Sequence, residues 1–87
     1  MNAVMQDSQQ QRIVYWCAEF IGKVLNLDPT TIGPDDEFDS LGLDSALTTS
    51  MIIEMENWLH AEIAPSIFFE QITLGDIAAE VARRVRT

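Results

Sequence analysis

Apolar residues recur at helical spacing along this chain, and no segment alternates in the way a half-buried strand requires. Ile13, Cys17, Phe20, Ile21 and Val24 fall at i, i+4, i+7, i+8 and i+11, which predicts a helix from about Gln9 to Leu25. Ser8 and Gln11 have capping-box spacing at its start, and Asn26 with Asp28-Pro29 ends it. A second stripe, Met51, Ile52, Met55 and Leu59 with Thr48 at its edge, predicts a helix from Asp44 or Ser45 to about His60. A third, Leu74, Ile77, Ala78, Val81 and Val85, follows Thr73 and Asp76, which again have capping spacing. Between the last two, Pro65 precedes SIFFE, enough for one or two further turns.

These stripes predict an all-α fold, a four-helix bundle of three main helices and one short one. A chain of 87 residues supports one domain, residues 1–87, with residues 1–8 as a flexible N-terminus. Residues 28–44, DPTTIGPDDEFDSLGLD, form a long connection between helices 1 and 2. Ile32, Phe38, Leu41 and Leu43 are spaced through it and should pin it to the core. A connection this long in so small a domain is commonly functional. One stripe suffices to seat the second helix, so Ala46, Thr49 and Ile53 on a different side, and Leu47 and Trp58, are left over. Either they form a contact surface or neighbouring elements cover them.

Charge narrows the partners. Five basic and 14 acidic residues give a formal net charge of −9. Nucleic acid needs cationic side chains to displace its counterions, so it is excluded as a partner. The cations are Arg12, Lys23, Arg83, Arg84 and Arg86, leaving the middle of the chain purely acidic. A surface of one sign favours partners with a basic face. The three arginines near the C-terminus suit the negative end of a helix dipole. The start, MNAVMQDSQQ, is not a signal peptide, and no apolar run approaches the roughly 18 residues of a membrane span. The expectation is a monomeric cytoplasmic protein without membrane contact.

Catalysis and metal binding find little support. Ser45 as a hydrolytic nucleophile needs a base in reach, and the one histidine, His60, is fifteen positions along the same predicted helix. At about 1.5 Å per residue that is roughly 22 Å away. One Cys and one His cannot build a structural zinc site. Asp35, Glu37 and Asp39 are spaced like a calcium loop, but Ser40 stands where its glycine belongs and Ala46 where its glutamate belongs. Cys17 lies on a core stripe and reads as a buried thiol. The remaining possibility is Ser45 as an acceptor of a charged group, since a helix N-terminus favours a phosphate; simple N-capping by Asp44-Ser45 is the plainer alternative.

The stretch DDEFDSLGLDS, with Phe38, Leu41-Gly42 and Asp44-Ser45, resembles the attachment motif of acyl carrier proteins. Residues 63–82, IAPSIFFEQITLGDIAAEVA, are similar to the matching part of polyketide-synthase-type carriers. The resemblance implies a four-helix carrier without catalysis of its own, whose Ser45 hydroxyl receives 4′-phosphopantetheine from coenzyme A. A phosphopantetheinyl transferase does this with magnesium, and Asp44 would help it place metal and phosphate. The arm's thiol then holds an acyl chain as a thioester. Partner enzymes would read the second helix and the loop before it, through Leu43, Ala46, Thr49 and Ile53.

Ala46 where most carriers have leucine, Gln71 in place of a proline, and Gly75 depart from the pattern. The D-S-A start with Trp58-Leu59 resembles carriers served by fatty acyl-AMP ligases, which implies a loading enzyme of that kind. A ketosynthase, an acyltransferase or other tailoring enzymes would then be further partners. The leucine-glycine-x-aspartate form leans away from peptidyl carriers. The first expectation is therefore a discrete polyketide-type acyl carrier. A peptidyl or aryl carrier of a nonribosomal assembly line and an unmodified acidic interaction module are the alternatives.

Overall fold

The computed structural model describes residues 8–85. The helices are α1 (Ser8–Leu25), α2 (Ser45–Leu59), α3 (Ile67–Glu70) and α4 (Leu74–Val85), with short 3-10 turns at Pro29–Thr31 and Phe38–Ser40. The all-α expectation holds, with three main helices and one of a single turn. Ser8 is already helical, so the flexible segment expected over residues 1–8 does not include it; residues 1–7 lie outside the described ones. So does the position before Ser8, where the cap would sit. Arg86 is outside them too.

The core is built where the stripes put it. Ile13, Cys17 and Ile21 of α1, Met51 and Met55 of α2, and Leu74, Ile77 and Val81 of α4 are fully buried with Ile67 and Phe68 of α3. Each large apolar side chain so buried contributes about 1.5–3 kcal/mol relative to exposure. Phe20, Val24, Leu59 and Val85 sit at the stripe edges and are half-buried. The closest helix pairing is α1 with α4. On the other side of α1, Trp16 stacks on Trp58 of α2 at 5.3 Å between ring centroids, and on Phe20 at 5.6 Å. The Arg12 guanidinium lies 5.5 Å from the Trp58 ring centre. Trp58 is therefore an interhelical contact, not part of a free surface.

Both long helices close on left-handed residues, Asn26 (φ 60°) and His60 (φ 54°). Leu27 N–H then reaches the Gly22 carbonyl at 2.8 Å, and Ala61 N–H the Glu56 carbonyl at 3.3 Å, which satisfies carbonyls the helix ends would leave unpaired. Glu56 turns back to accept the Ile63 N–H at 2.8 Å, so this acid serves the turn after α2. At the C-terminal end the arginines do more than meet the helix dipole. Arg83 and Arg84 both bond Glu80, at 2.6 and 2.7 Å, and these bonds, Arg83's first, hold the Glu80 carboxyl below its usual range.

The long connection is fastened along its length. Asp28 accepts the Thr30 N–H at 3.0 Å and the Thr30 hydroxyl at 2.8 Å, which lowers its pKa. Ile32 and Phe38 are buried, and Leu41 and Leu43 are half-buried against the core. Asp36 accepts the Gly33 N–H at 2.8 Å. A single bridge joins Glu37 to Thr73, with Phe38 N–H on the Ile72 carbonyl and Leu74 N–H on the Asp36 carbonyl, both at 2.9 Å. Gly75 donates to the Pro34 carbonyl at 2.8 Å, and a Cβ there would come within 3.0 Å of Pro34. Gln10 of α1 closes the same junction, its amide donating to the Gly75 carbonyl at 3.0 Å. Gly75 thus allows the loop to lie directly on the start of α4.

Candidate functional site

The loop delivers the chain to α2 through Gly42, whose φ of 97° is costly for residues with a side chain. Asp44 follows in extended conformation (φ −83°, ψ −179°) and caps the helix, its Oδ1 accepting the Leu47 N–H at 2.8 Å. The capping expectation is correct for Asp44. Ser45 is the first helical residue.

Ser45 is exposed, and no group among the described residues bonds its hydroxyl. The N–H groups of Ser45 and Ala46 also have no partner among the described residues, because the cap reaches Leu47 and the helix ladder starts with Thr48 N–H on the Asp44 carbonyl. An uncommitted hydroxyl therefore stands beside two free donors at the positive end of a fifteen-residue helix. That arrangement favours a phosphate on the hydroxyl, through hydrogen bonds and through the dipole. It offers no base. His60 ends the same helix at its other extremity, in a left-handed conformation that serves the turn. Among the described residues no group of three His, Cys, Asp or Glu could hold a metal ion, and no helix is long and apolar enough to cross a membrane.

The expected docking residues divide. Ala46, Thr49 and Ile53 are exposed along one side of α2, Ile53 by 52%. Thr48 and the stripe below them face the core. Leu43 does not stand free: it is half-buried against the core, so much of its side chain serves to seat the loop. Cys17 is fully buried, and desolvation pushes its thiol up to about 12.

Two features escaped the reading of the sequence. Phe69 and Ile72 are 72% and 64% exposed. The signal was present in SIFFEQI, because a one-turn helix cannot direct Ile67, Phe68 and Phe69 all inward. A groove of about 440 Å³ also opens between α1 and the loop, lined by Val14, Tyr15, Ala18, Pro29, Ile32 and Pro34 among others. It depends on where the loop crosses α1, which periodicity does not report. No residue of the Gly42–Thr49 segment lines it.

A family model described as phosphopantetheine attachment site matches residues 18–81. The L-2-aminoadipate reductase large subunit of Candida glabrata is 40% identical over 55 residues, 63% of this chain. The chain spans 4% of that relative's length. The crystal structure of a free-standing peptidyl carrier protein from Acinetobacter baumannii superposes with a TM-score of 0.79, covering 90% of this chain and 98% of that one at 23% identity. That likeness shows a shared fold. With the family match spanning well over half its length, the chain belongs to the phosphopantetheine attachment family of carrier proteins, which hold a covalently attached 4′-phosphopantetheine, receive it from a phosphopantetheinyl transferase and have no catalysis of their own.

Proposed function

We propose that Ser45 is the attachment residue and that the arm it carries holds an amino-acid-derived acyl group as a thioester for a partner enzyme. The observation that carries the first half is the exposed Ser45 hydroxyl next to the unpartnered N–H groups of Ser45 and Ala46. Attachment forms a phosphodiester between the serine oxygen and the phosphopantetheine phosphate of coenzyme A. The hydroxyl proton leaves, and 3′,5′-adenosine bisphosphate departs. The base and the magnesium belong to the transferase. Asp44 stands beside Ser45 with one carboxylate oxygen on Leu47, and its charge remains to meet the transferase's metal.

The nature of the cargo rests on the names of the similar proteins, an aminoadipate reductase and a peptidyl carrier. They support an amino-acid cargo in place of the polyketide chain first expected. A second reading is favoured by residues 35–45 and 63–82: a polyketide-type acyl carrier loaded by a fatty acyl-AMP ligase and serving a ketosynthase or acyltransferase.

Incubation with coenzyme A and a promiscuous transferase, read by intact mass, tests the attachment. The wild-type chain gains one phosphopantetheine and Ser45→Ala gains none. No gain in the wild type, or a gain that survives in Ser45→Ala, defeats the assignment and restores the unmodified interaction module. Loading of the modified chain by amino-acid-adenylating enzymes against fatty acyl-AMP ligases then decides the cargo.

A further inference from the structure

The outer face of α1 differs in charge from the rest of the molecule. Twelve acids and no cation lie from Val24 to Ala82, whereas α1 carries Arg12 and Lys23 against Glu19 alone. Two copies of a chain with formal charge −9 repel each other, and the repulsion is least when this face of each is turned inward. Arg12, Tyr15 and Glu19 fall at i, i+3 and i+7 and are all exposed, Tyr15 by 70%. Among the described residues Glu19 makes no ion pair.

Tyr15 stands as a ridge between two apolar hollows. On one side is the groove of about 440 Å³ against the loop, and on the other a hollow of about 480 Å³ lined by Arg12, Trp16 and Trp58 among others. Ridge and second hollow complement each other. In an antiparallel pair of α1 helices with its two-fold axis between Tyr15 and Trp16, each Tyr15 enters the other copy's hollow and meets Trp16 there. The same axis sets each Arg12 against the other copy's Glu19, so opposite charges pair twice across the contact. A parallel pair would set Arg12 on Arg12 and Glu19 on Glu19. Arg12 lies over Trp58 and gives one N–H to Gln9 at 2.9 Å, which holds the guanidinium at the rim with donors to spare.

We propose that this face of α1 is the contact of a reversible antiparallel dimer of the chain, in place of the expected monomer. No residue of the Gly42–Thr49 segment lines either hollow, so the pairing leaves both Ser45 hydroxyls open. One helix face buries less than the roughly 800 Å² per partner of a stable interface, so the dimer dissociates on dilution.

The test is sedimentation equilibrium of the full chain up to about 1 mM, the range in which so small an interface associates. The wild type passes from monomer to dimer as concentration rises. Tyr15→Ser raises the dimer Kd about tenfold, as expected for an aromatic anchor, and leaves the circular dichroism spectrum unchanged. Arg12→Glu and Glu19→Arg each weaken self-association, because each sets like charges opposite one another. A mixture of the two variants forms a heterodimer tighter than either variant alone. General repulsion predicts otherwise, since Glu19→Arg lowers the net charge and would then associate best. Phe69→Ser, which removes an exposed aromatic elsewhere, leaves Kd unchanged. A wild type that stays monomeric throughout, an unchanged Kd in Tyr15→Ser, an equal rise in Phe69→Ser, or a mixture no tighter than Glu19→Arg alone overturns the proposal. Should Arg12→Glu lose helicity through its contact with Trp58, Tyr15→Ser and Glu19→Arg decide.

Discussion

The Asp44 carboxylate accepts the Leu47 N–H at 2.8 Å, which makes the residue beside Ser45 the cap of the helix that presents it. The cap is one role, the contact proposed with the transferase would be a second, and two substitutions separate them. Asp44→Ala removes cap and charge together and costs about 1 kcal/mol of stability. In a domain of this size that lowers Tm by roughly 4–8 °C. Asp44→Asn keeps a capping oxygen, so Tm stays near wild type while modification by the transferase slows. If Asp44→Asn is modified at the wild-type rate, the carboxylate is a cap and nothing more.

Gly42 and Gly75 are needed for different reasons, and alanine at each should show it. A Cβ at Gly42 meets nothing within 4 Å, so the cost of Gly42→Ala lies in the backbone at φ 97° and is about 1–3 kcal/mol. Gly42→Asn, which tolerates positive φ better, costs less. Gly75→Ala instead forces Pro34 away from the start of α4. Denaturant titration of the three variants tests this, and an Asn variant no better than the Ala variant at position 42 would contradict the backbone account.

Trp16 and Trp58 lie with their rings 7° from parallel and tie α1 to the end of α2 remote from Ser45. A double-mutant cycle with Trp16→Leu and Trp58→Leu should return a coupling of about 0.5–1.5 kcal/mol. A coupling near zero means that the two rings contribute by burial alone.

Ile53 is 52% exposed, so Ile53→Asp leaves α2 intact and acts on partners. The far-ultraviolet circular dichroism spectrum stays unchanged while transfer from the loaded arm to a partner enzyme falls. Loss of helical signal would place Ile53 in the core.

Cys17 gives a pH dependence whose sign is fixed. Burial raises its folded pKa to about 12 from an ordinary value of 9.0, so folding favours the neutral thiol. The associated stability is complete below pH 9 and is lost as pH rises from 9 towards 12. Cys17→Ala should flatten this alkaline decline. At pH 8 the folded chain resists iodoacetamide and the denatured chain takes up one equivalent, by intact mass; rapid alkylation of the folded chain contradicts the burial.

The serine that opens α2 was legible because its signals are local. Asp44, Ser45 and the helix start lie within a few residues, and capping and dipole act over one turn. The core was legible for the same reason, since Ile13, Cys17 and Ile21, or Ile77 and Val81, are set by a period of 3.6 residues. The exposed side of α2 was legible in part. Ala46, Thr49 and Ile53 fall outside the core stripe and are exposed, whereas Leu43 had to be assigned without knowing how the loop crosses the core.

The sequence by itself determined where the helices run, which of their faces are buried, and which serine opens α2, because each follows from short-range periodicity and capping. Only the tertiary structure decided that Trp58 is covered by Trp16, that Phe69 and Ile72 are left outside, and that Pro34 lies against Gly75. Those outcomes depend on how helices and loop meet across long sequence separations, where packing and backbone hydrogen bonds choose among faces that periodicity leaves equivalent.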